Sequence, residues 1–307
     1  MSRKATSPKA RLLKYCGPTA YALQNLESGQ IFCQHYTAYN DPFEFWTTIS
    51  TGIPDPDREP ERYLAALRAW GFDCRTVAEA KDDELIQGSV DDYFDECQHY
   101  APPFEGMRQG MRISCFSSEA DNLLMWSHYG DGLRGFCIVF DEDVITLGDE
   151  AAYVLDVAYL GAPPRVDSFI YGVARDQDWY SQTAIGETNT AIKYQGRTGL
   201  EGEIAMYEES GEQALRTMRE IWQQVFATKP AEWMYERERR LLVQTNRDDA
   251  APVLRTYDRA AIKEVILGER MPQNYKADLL AVMLKIYPNT PVRTARRSAG
   301  TYTLNIE

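Results

Sequence analysis

Short apolar runs alternate with amphipathic stretches along most of this chain. Leu12-Leu13-Lys14-Tyr15-Cys16 reads as a strand closed by Gly17. Pro18 then opens a stretch with Ala22, Leu23 and Leu26 at helical spacing, stopped by Gly29. A second strand-like run over 30–36 leads into the turn signal Asn40-Asp41-Pro42. Residues 59–70 place Tyr63, Leu64, Leu67 and Trp70 on one side of a helix, and the acidic stretch 79–100 predicts one or two more. The segment at about 51–110 therefore reads as a helical insertion. Strands are expected again at 111–117, 135–140 and 153–160, with a helical segment over 121–129. Their continuously apolar character suits a sheet covered on both faces.

Further along, residues 161–207 are rich in Gly, Pro, Asp, Thr and Gln, and no element is predicted there. Leu215, Met218, Ile221, Trp222 and Val225 form one stripe of a helix over 212–227. Strands are expected at 239–244 and 262–267, a helix at 272–287, and closing strands at 292–295 and 302–306. The sum is a single α+β domain over 11–307, a central mixed sheet with flanking helices, preceded by a flexible tail at 1–10.

Composition narrows the class. The 307 residues include 33 Lys+Arg and 46 Asp+Glu, a net charge of −13, with 44% hydrophobic and 26% charged residues. These are globular proportions, and the acidic balance argues against binding nucleic acid mainly by phosphate neutralisation. No apolar run approaches the ~20 residues of a membrane span. The basic N-terminal segment lacks the apolar stretch of a secretion signal. Six scattered Cys, four of them in apolar strand-like runs, read as reduced thiols of a cytoplasmic protein.

Four clusters carry candidate chemistry. Lys14 and Tyr15 sit at the end of the first strand, where a rigid scaffold can present them to a cleft. In Asn40-Asp41-Pro42-Phe43-Glu44, Asn40, Asp41 and Pro42 suit a turn, while Glu44 between two Phe needs a partner or a raised pKa. Between two strand candidates, Ser117, Trp126, His128, Tyr129 and Arg134 supply hydroxyls, rings and a guanidinium suited to a flat ligand with phosphate or ribose groups. Each also has a plainer reading, Trp126 as core and His128 as a structural histidine. Finally, if Trp233 to Val243 enters a strand, Glu236, Glu238 and Arg240 share one face. Two carboxylates there suit a sugar hydroxyl and a developing oxocarbenium cation; the alternative is a self-neutralising surface run. Gly-rich phosphate loops, a Gly-x-Ser-x-Gly elbow and paired zinc-ligand spacings are all missing, and no metal is expected.

Taken together, Leu13-Lys14-Tyr15, Asn40-Asp41-Pro42-Phe43-Glu44, Ser114-Cys115-Phe116-Ser117, Met125-Trp126-Ser127-His128-Tyr129, Gly135-Phe136 and Trp233-x-x-Glu236-x-Glu238-x-Arg240 resemble the bacterial domain-of-unknown-function family 2971, over about residues 11–270. That family implies no activity. More distantly, the order of these motifs is similar to the ADP-ribosyltransferase fold, which implies a split central sheet. On this resemblance Lys14 or Tyr15 takes the first position of the site, Ser117 or Tyr129 with His128 the second, and Glu238 or Glu236 the third. NAD is the implied substrate, cleaved at the nicotinamide–ribose bond. The acceptor is an unknown protein or nucleic acid, and the implied setting is a toxin or phage-defence effector. Lys14 departs from the Arg or His usual at the first position. Two other readings stand beside this one. The first is a non-catalytic nucleotide- or partner-binding module with Trp126, Tyr129 and Arg134 around its pocket. The second is a nuclease, for which the Asp/Glu-x-Lys pattern is missing.

Overall fold

The computed structural model describes residues 11–148 and 151–307, and the chain divides into two compact units. The tail expected at 1–10 lies outside the described residues. One unit comprises the chain up to Phe45 with Met107–Ala162 and Ala227–Glu307; the other comprises Trp46–Gly106 and Pro163–Phe226.

The first unit is built on an eight-stranded sheet: β1 (Leu12–Cys16), β2 (Met111–Ser117), β3 (Phe136–Phe140), β4 (Ala152–Asp156), β5 (Glu238–Gln244), β6 (Ile262–Gly268), β7 (Val292–Arg297) and β8 (Leu304–Ile306). Their order is β8-β7-β6-β3-β1-β2-β5-β4, and the β6–β7 pair alone runs parallel. This is the mixed α+β sheet expected. Alternate residues of β1 and β3 feed two separate cores. Leu12, Phe136, Ile138 and Phe140 pack on one face with Leu26, Leu279 and Met283 of the flanking helices. Leu13, Tyr15, Cys137 and Val139 pack on the other with Met125 and Trp126. Because both faces are covered, all five residues of β3 are buried and its sequence shows no alternation. Gly135 enters this strand where a Cβ would fall 2.0 Å from the Cys16 carbonyl oxygen. No other residue fits there.

One irregularity in the sheet decides where a site can form. β1 pairs with β3 through all five of its residues but with β2 only at Leu13 opposite Ser117. Beyond that point β2 pairs instead with Gln34, whose backbone exchanges hydrogen bonds of 2.8 and 2.7 Å with Ile113. A wedge therefore opens between β1 and β2.

The second unit is helical. Pro60–Trp70, Val77–Asp82 and Glu84–Gln98 occupy the expected insertion. They are joined by two long helices, Ser168–Gln195 and Glu201–Phe226, of which the first fills a region where sequence pattern predicted no element. The reason is visible in its buried positions: beside Phe169 and Val173 they are Gly172, Ala174, Ser181, Thr188 and Ala191, too small and polar to register as an apolar stripe. Asp167 caps its start, accepting hydrogen bonds from the backbone of Phe169 and Ile170. Gly172 lets the helix pass so close to Cys97 that a Cβ would lie 2.6 Å from that carbonyl oxygen.

Charge is divided as unevenly as structure. The helical unit holds 24 Asp+Glu against 11 Lys+Arg, while the sheet unit holds 22 of each. The whole net charge of −13 thus belongs to the helical unit, and the sheet unit is neutral. The acidic excess that disfavours nucleic acid is thus not a property of the sheet unit. None of the six cysteines, all among the described residues, forms a disulfide. Among the described residues no helix is long and apolar enough to cross a membrane.

Candidate functional site

A cleft of about 370 Å³ occupies the wedge between β1 and β2. β1 contributes Lys14 and Tyr15 to it, β2 contributes Cys115 and Phe116, and the segment after Gln34 contributes Tyr39 and Asn40. Tyr129, Lys229, Glu236 and Glu238 close it on the remaining side.

The last three arrive by an unusual backbone route. Ala231–Glu236 forms a 3-10 helix, Arg237 adopts the left-handed conformation (φ 46°), and β5 begins only at Glu238. Strand alternation therefore does not extend back to Glu236, as the sequence reading assumed. The turn nevertheless brings both carboxylates to one cation. Lys229, on the short strand Thr228–Pro230, places Nζ 2.7 Å from Glu236 Oε2 and 2.7 Å from Glu238 Oε2. The same ammonium lies 5.3 Å from the Trp233 ring centroid.

A second cation holds the other oxygen. Arg240 directs Nε to Glu238 Oε1 at 2.7 Å and its two terminal nitrogens to the Glu44 carboxylate at 2.5 and 2.9 Å. Glu44 thus finds the partner that its setting between two Phe demands. Tyr129 donates its hydroxyl to Glu236 Oε1 at 2.5 Å, and the Glu238 amide donates to the Tyr159 hydroxyl at 2.7 Å. Glu44, Lys229, Glu236, Glu238 and Arg240 are all buried.

Burial alone would raise the Glu238 pKa, but Arg240 and Lys229 outweigh it and hold the carboxyl down to about 2. Burial likewise works against the charged form of Lys229, yet Glu238, with Cys115 and Glu236, keeps its pKa above the ordinary lysine range. For Glu44 burial prevails over Arg240, and the pKa lies above the usual carboxylate value. Burial, and then the hydrogen bond to Glu236, pushes the Tyr129 phenol up. Glu238 is consequently an anion throughout the physiological range. It can accept hydrogen bonds from hydroxyls and stabilise adjacent positive charge, but it is unsuited to donate a proton.

Lys14 provides a cation of a different kind. Its Nζ donates to Ser114 Oγ at 2.8 Å and to the Cys115 carbonyl at 3.1 Å, and among the described residues no carboxylate pairs with it.

Lys14, Tyr15, Tyr129, Glu236 and Glu238 therefore share one cleft. Of the other candidates Asn40 joins them in the lining, and the rest lie outside it. Ser117 is buried where β2 meets both Leu13 and Glu238, and its Oγ accepts from the Glu119 amide. Trp126 is fully buried core, edge-on to Tyr15 at 5.2 Å, with Nε1 donating to the Ala120 carbonyl. His128 is exposed, and Arg134 is half-exposed and paired with Asp131 at 2.8 Å. Asp41 accepts from the Phe43 amide at 2.9 Å, the turn role expected of it, while Asn40 faces the cleft. Lys229 and Tyr159 went unnoticed in the sequence, and Tyr39, which opens the cluster running to Glu44, was given no role of its own. Lys229 and Tyr159 belong to no motif, and only their charged or strand partners mark them out. No three His, Cys, Asp or Glu side chains among the described residues are arranged to hold a metal ion.

A family model described as protein of unknown function (DUF2971) matches residues 125–241. This is narrower than the span over which the motifs resemble the family. The DUF2971 match includes Tyr129, Lys229, Glu236, Glu238 and Arg240, whereas Lys14 and Glu44 precede it. No curated protein and no solved structure matches the chain.

Proposed function

We propose that this protein binds NAD in the cleft and cleaves its nicotinamide–ribose bond, passing ADP-ribose to a macromolecular acceptor or to water. The observation that carries the reading is the convergence of Glu236, Glu238 and Tyr129 with Lys14 in a cleft formed by a divided sheet. Breaking the bond from the ribose anomeric carbon sends the electron pair to nicotinamide, which leaves neutral. The positive charge left on the ribose is what a fixed carboxylate stabilises. Glu238, held ionised, suits that role and suits a ribose hydroxyl as donor. Lys14, without a carboxylate partner, suits a diphosphate. The acceptor nucleophile then bonds to the anomeric carbon and releases its proton to solvent. The neutral charge of the sheet unit leaves both a protein and a nucleic acid open as acceptor. The resemblance to the ADP-ribosyltransferase fold extends the proposal to an effector enzyme, such as a toxin or a phage-defence protein.

The test is nicotinamide release by the purified protein beside a Glu236→Gln/Glu238→Gln variant of unchanged fold. Release by the native protein, reduced at least about 100-fold in the variant, is the expected result. Absence of both release and NAD binding by calorimetry overturns the proposal.

The full pairing of Glu236 and Glu238 by Lys229 and Arg240 also suits a second reading, a nucleotide-sensing module without turnover. It predicts binding that survives Glu238→Gln with no release in the native protein.

A further inference from the structure

We propose that Glu44 is a positioning residue, which acts through Arg240 to set the direction of the Glu238 carboxylate in the cleft. Its catalytic consequence rests on the proposed NAD chemistry; its geometric content does not.

The Glu44 and Arg240 side chains are 2% and 0% exposed. A guanidinium is planar, and the Glu44 carboxylate accepts a hydrogen bond from one terminal nitrogen at 2.9 Å and stands 2.5 Å from the other in an ion pair, so contact at two points holds the plane. The direction of the Nε–H bond is fixed with it. That bond meets Glu238 Oε1 at 2.7 Å, which turns the second oxygen, Oε2, toward Lys229 at the cleft wall. Glu238 alone has several rotamers; held by an oriented Arg240 it has one.

The backbone that presents Glu44 is shaped for this purpose. Asp41 forms a side-chain turn with the Phe43 amide, and the Glu44 amide bonds back to the Asp41 carbonyl at 3.2 Å. The next residue, Phe45, sits in the left-handed region at φ 58°, a conformation unfavourable for a bulky residue that persists where surrounding packing imposes it. Phe45 is buried against the Tyr36 ring at 5.2 Å. The same short loop supplies Tyr39 and Asn40 to the cleft, so the Glu44–Arg240 pair ties the cleft wall to the carboxylate it faces.

Two variants and two readouts test the assignment. Glu44→Gln keeps the shape and removes the charge. Glu44→Asp keeps the charge, shortens the reach by one methylene, and serves where Glu44→Gln fails to fold. Positioning predicts that kcat for nicotinamide release falls about tenfold or more in either folded variant, with KM for NAD within about twofold of native. In parallel, carboxyl-labelled glutamate NMR of the native protein and both variants, with Glu238→Gln assigning the signal, predicts a displaced Glu238 resonance in each. A native protein inactive on NAD but with a displaced resonance refutes the NAD chemistry and sustains the positioning role. An unmoved Glu238 resonance, or an unchanged kcat in an active folded variant, overturns it.

Discussion

The Lys229 ammonium stands 2.7 Å from the Glu238 carboxylate, with 4% and 2% of the two side chains exposed. It makes an equal contact with Glu236, so one buried cation separates two buried anions. The ion pairs themselves need not contribute much, because desolvating the charges offsets their attraction. Removing the central cation is another matter, since it leaves two carboxylates facing each other in a medium of low dielectric.

Lys229→Met is therefore expected to lower the unfolding free energy by about 3–5 kcal/mol in a urea titration. Adding Glu236→Gln is expected to recover part of that loss, because one of the stranded charges is gone. A Lys229→Met protein as stable as the native one contradicts this arrangement.

Stability is expected to fall at both extremes of pH. Burial raises the folded-state pKa of Tyr15 and Tyr129 above the value of about 10 they have when unfolded. Such groups contribute stability that is complete below the unfolded pKa and lost as pH rises through the folded one. Tyrosinate absorbance should hence appear together with loss of circular dichroism in an alkaline titration. Glu238 has the opposite sign: its pKa is lowered to about 2, so its contribution is present above the unfolded value and disappears as pH falls toward 2. Glu238→Gln is expected to flatten that acid limb.

The placement of the aromatic cluster separates core from cleft. Trp126→Ala is expected to cost about 3–5 kcal/mol in the same urea series, because a fully buried indole leaves a cavity. Arg134→Ala and His128→Ala are expected to leave both the unfolding midpoint and NAD binding by calorimetry unchanged, since neither side chain lines the cleft. Loss of binding in either of these variants counts against the cleft as the NAD site.

Two glycines make a contrasting pair. At Gly135 a Cβ would sit 2.0 Å from the Cys16 carbonyl oxygen, so Gly135→Ala forces β1 and β3 apart and is expected to prevent folding. At Gly186, within the helix Ser168–Gln195, a Cβ meets nothing within 4 Å. Gly186→Ala is expected to raise stability by about 0.5–1 kcal/mol through helix propensity. Thermal unfolding of the two variants measures both effects.

Local pattern was enough for the elements whose causes are local. Thr19 and Gly29 bound the first helix as N-cap and left-handed C-cap, and the apolar run over 136–140 is the doubly covered strand it resembles. Asp41 makes its turn because its side chain bonds only two residues ahead. The helix Ser168–Gln195 was illegible because its buried stripe consists largely of small and polar residues, which become a packing surface only when the Glu201–Phe226 helix lies against them.

The candidate site divides along the same line. Glu236, Glu238, Tyr129, Lys14 and Tyr15 were recognisable by residue type and share the cleft, while Ser117, Trp126, His128 and Arg134, expected with them, lie outside its lining. What the chain order alone did not determine was the electrostatic state of that cleft. Lys229 belongs to no motif, and Glu44 meets Arg240 across 196 residues. The ionisation of Glu238 depends on two cations, Arg240 two residues along the same strand and Lys229 across the turn at Arg237. Sequence by itself determined which groups were available and which short segments would be strands and helices. The tertiary structure decided which charges are paired in the interior, because pairing energies depend on ångström separations and on the exclusion of water.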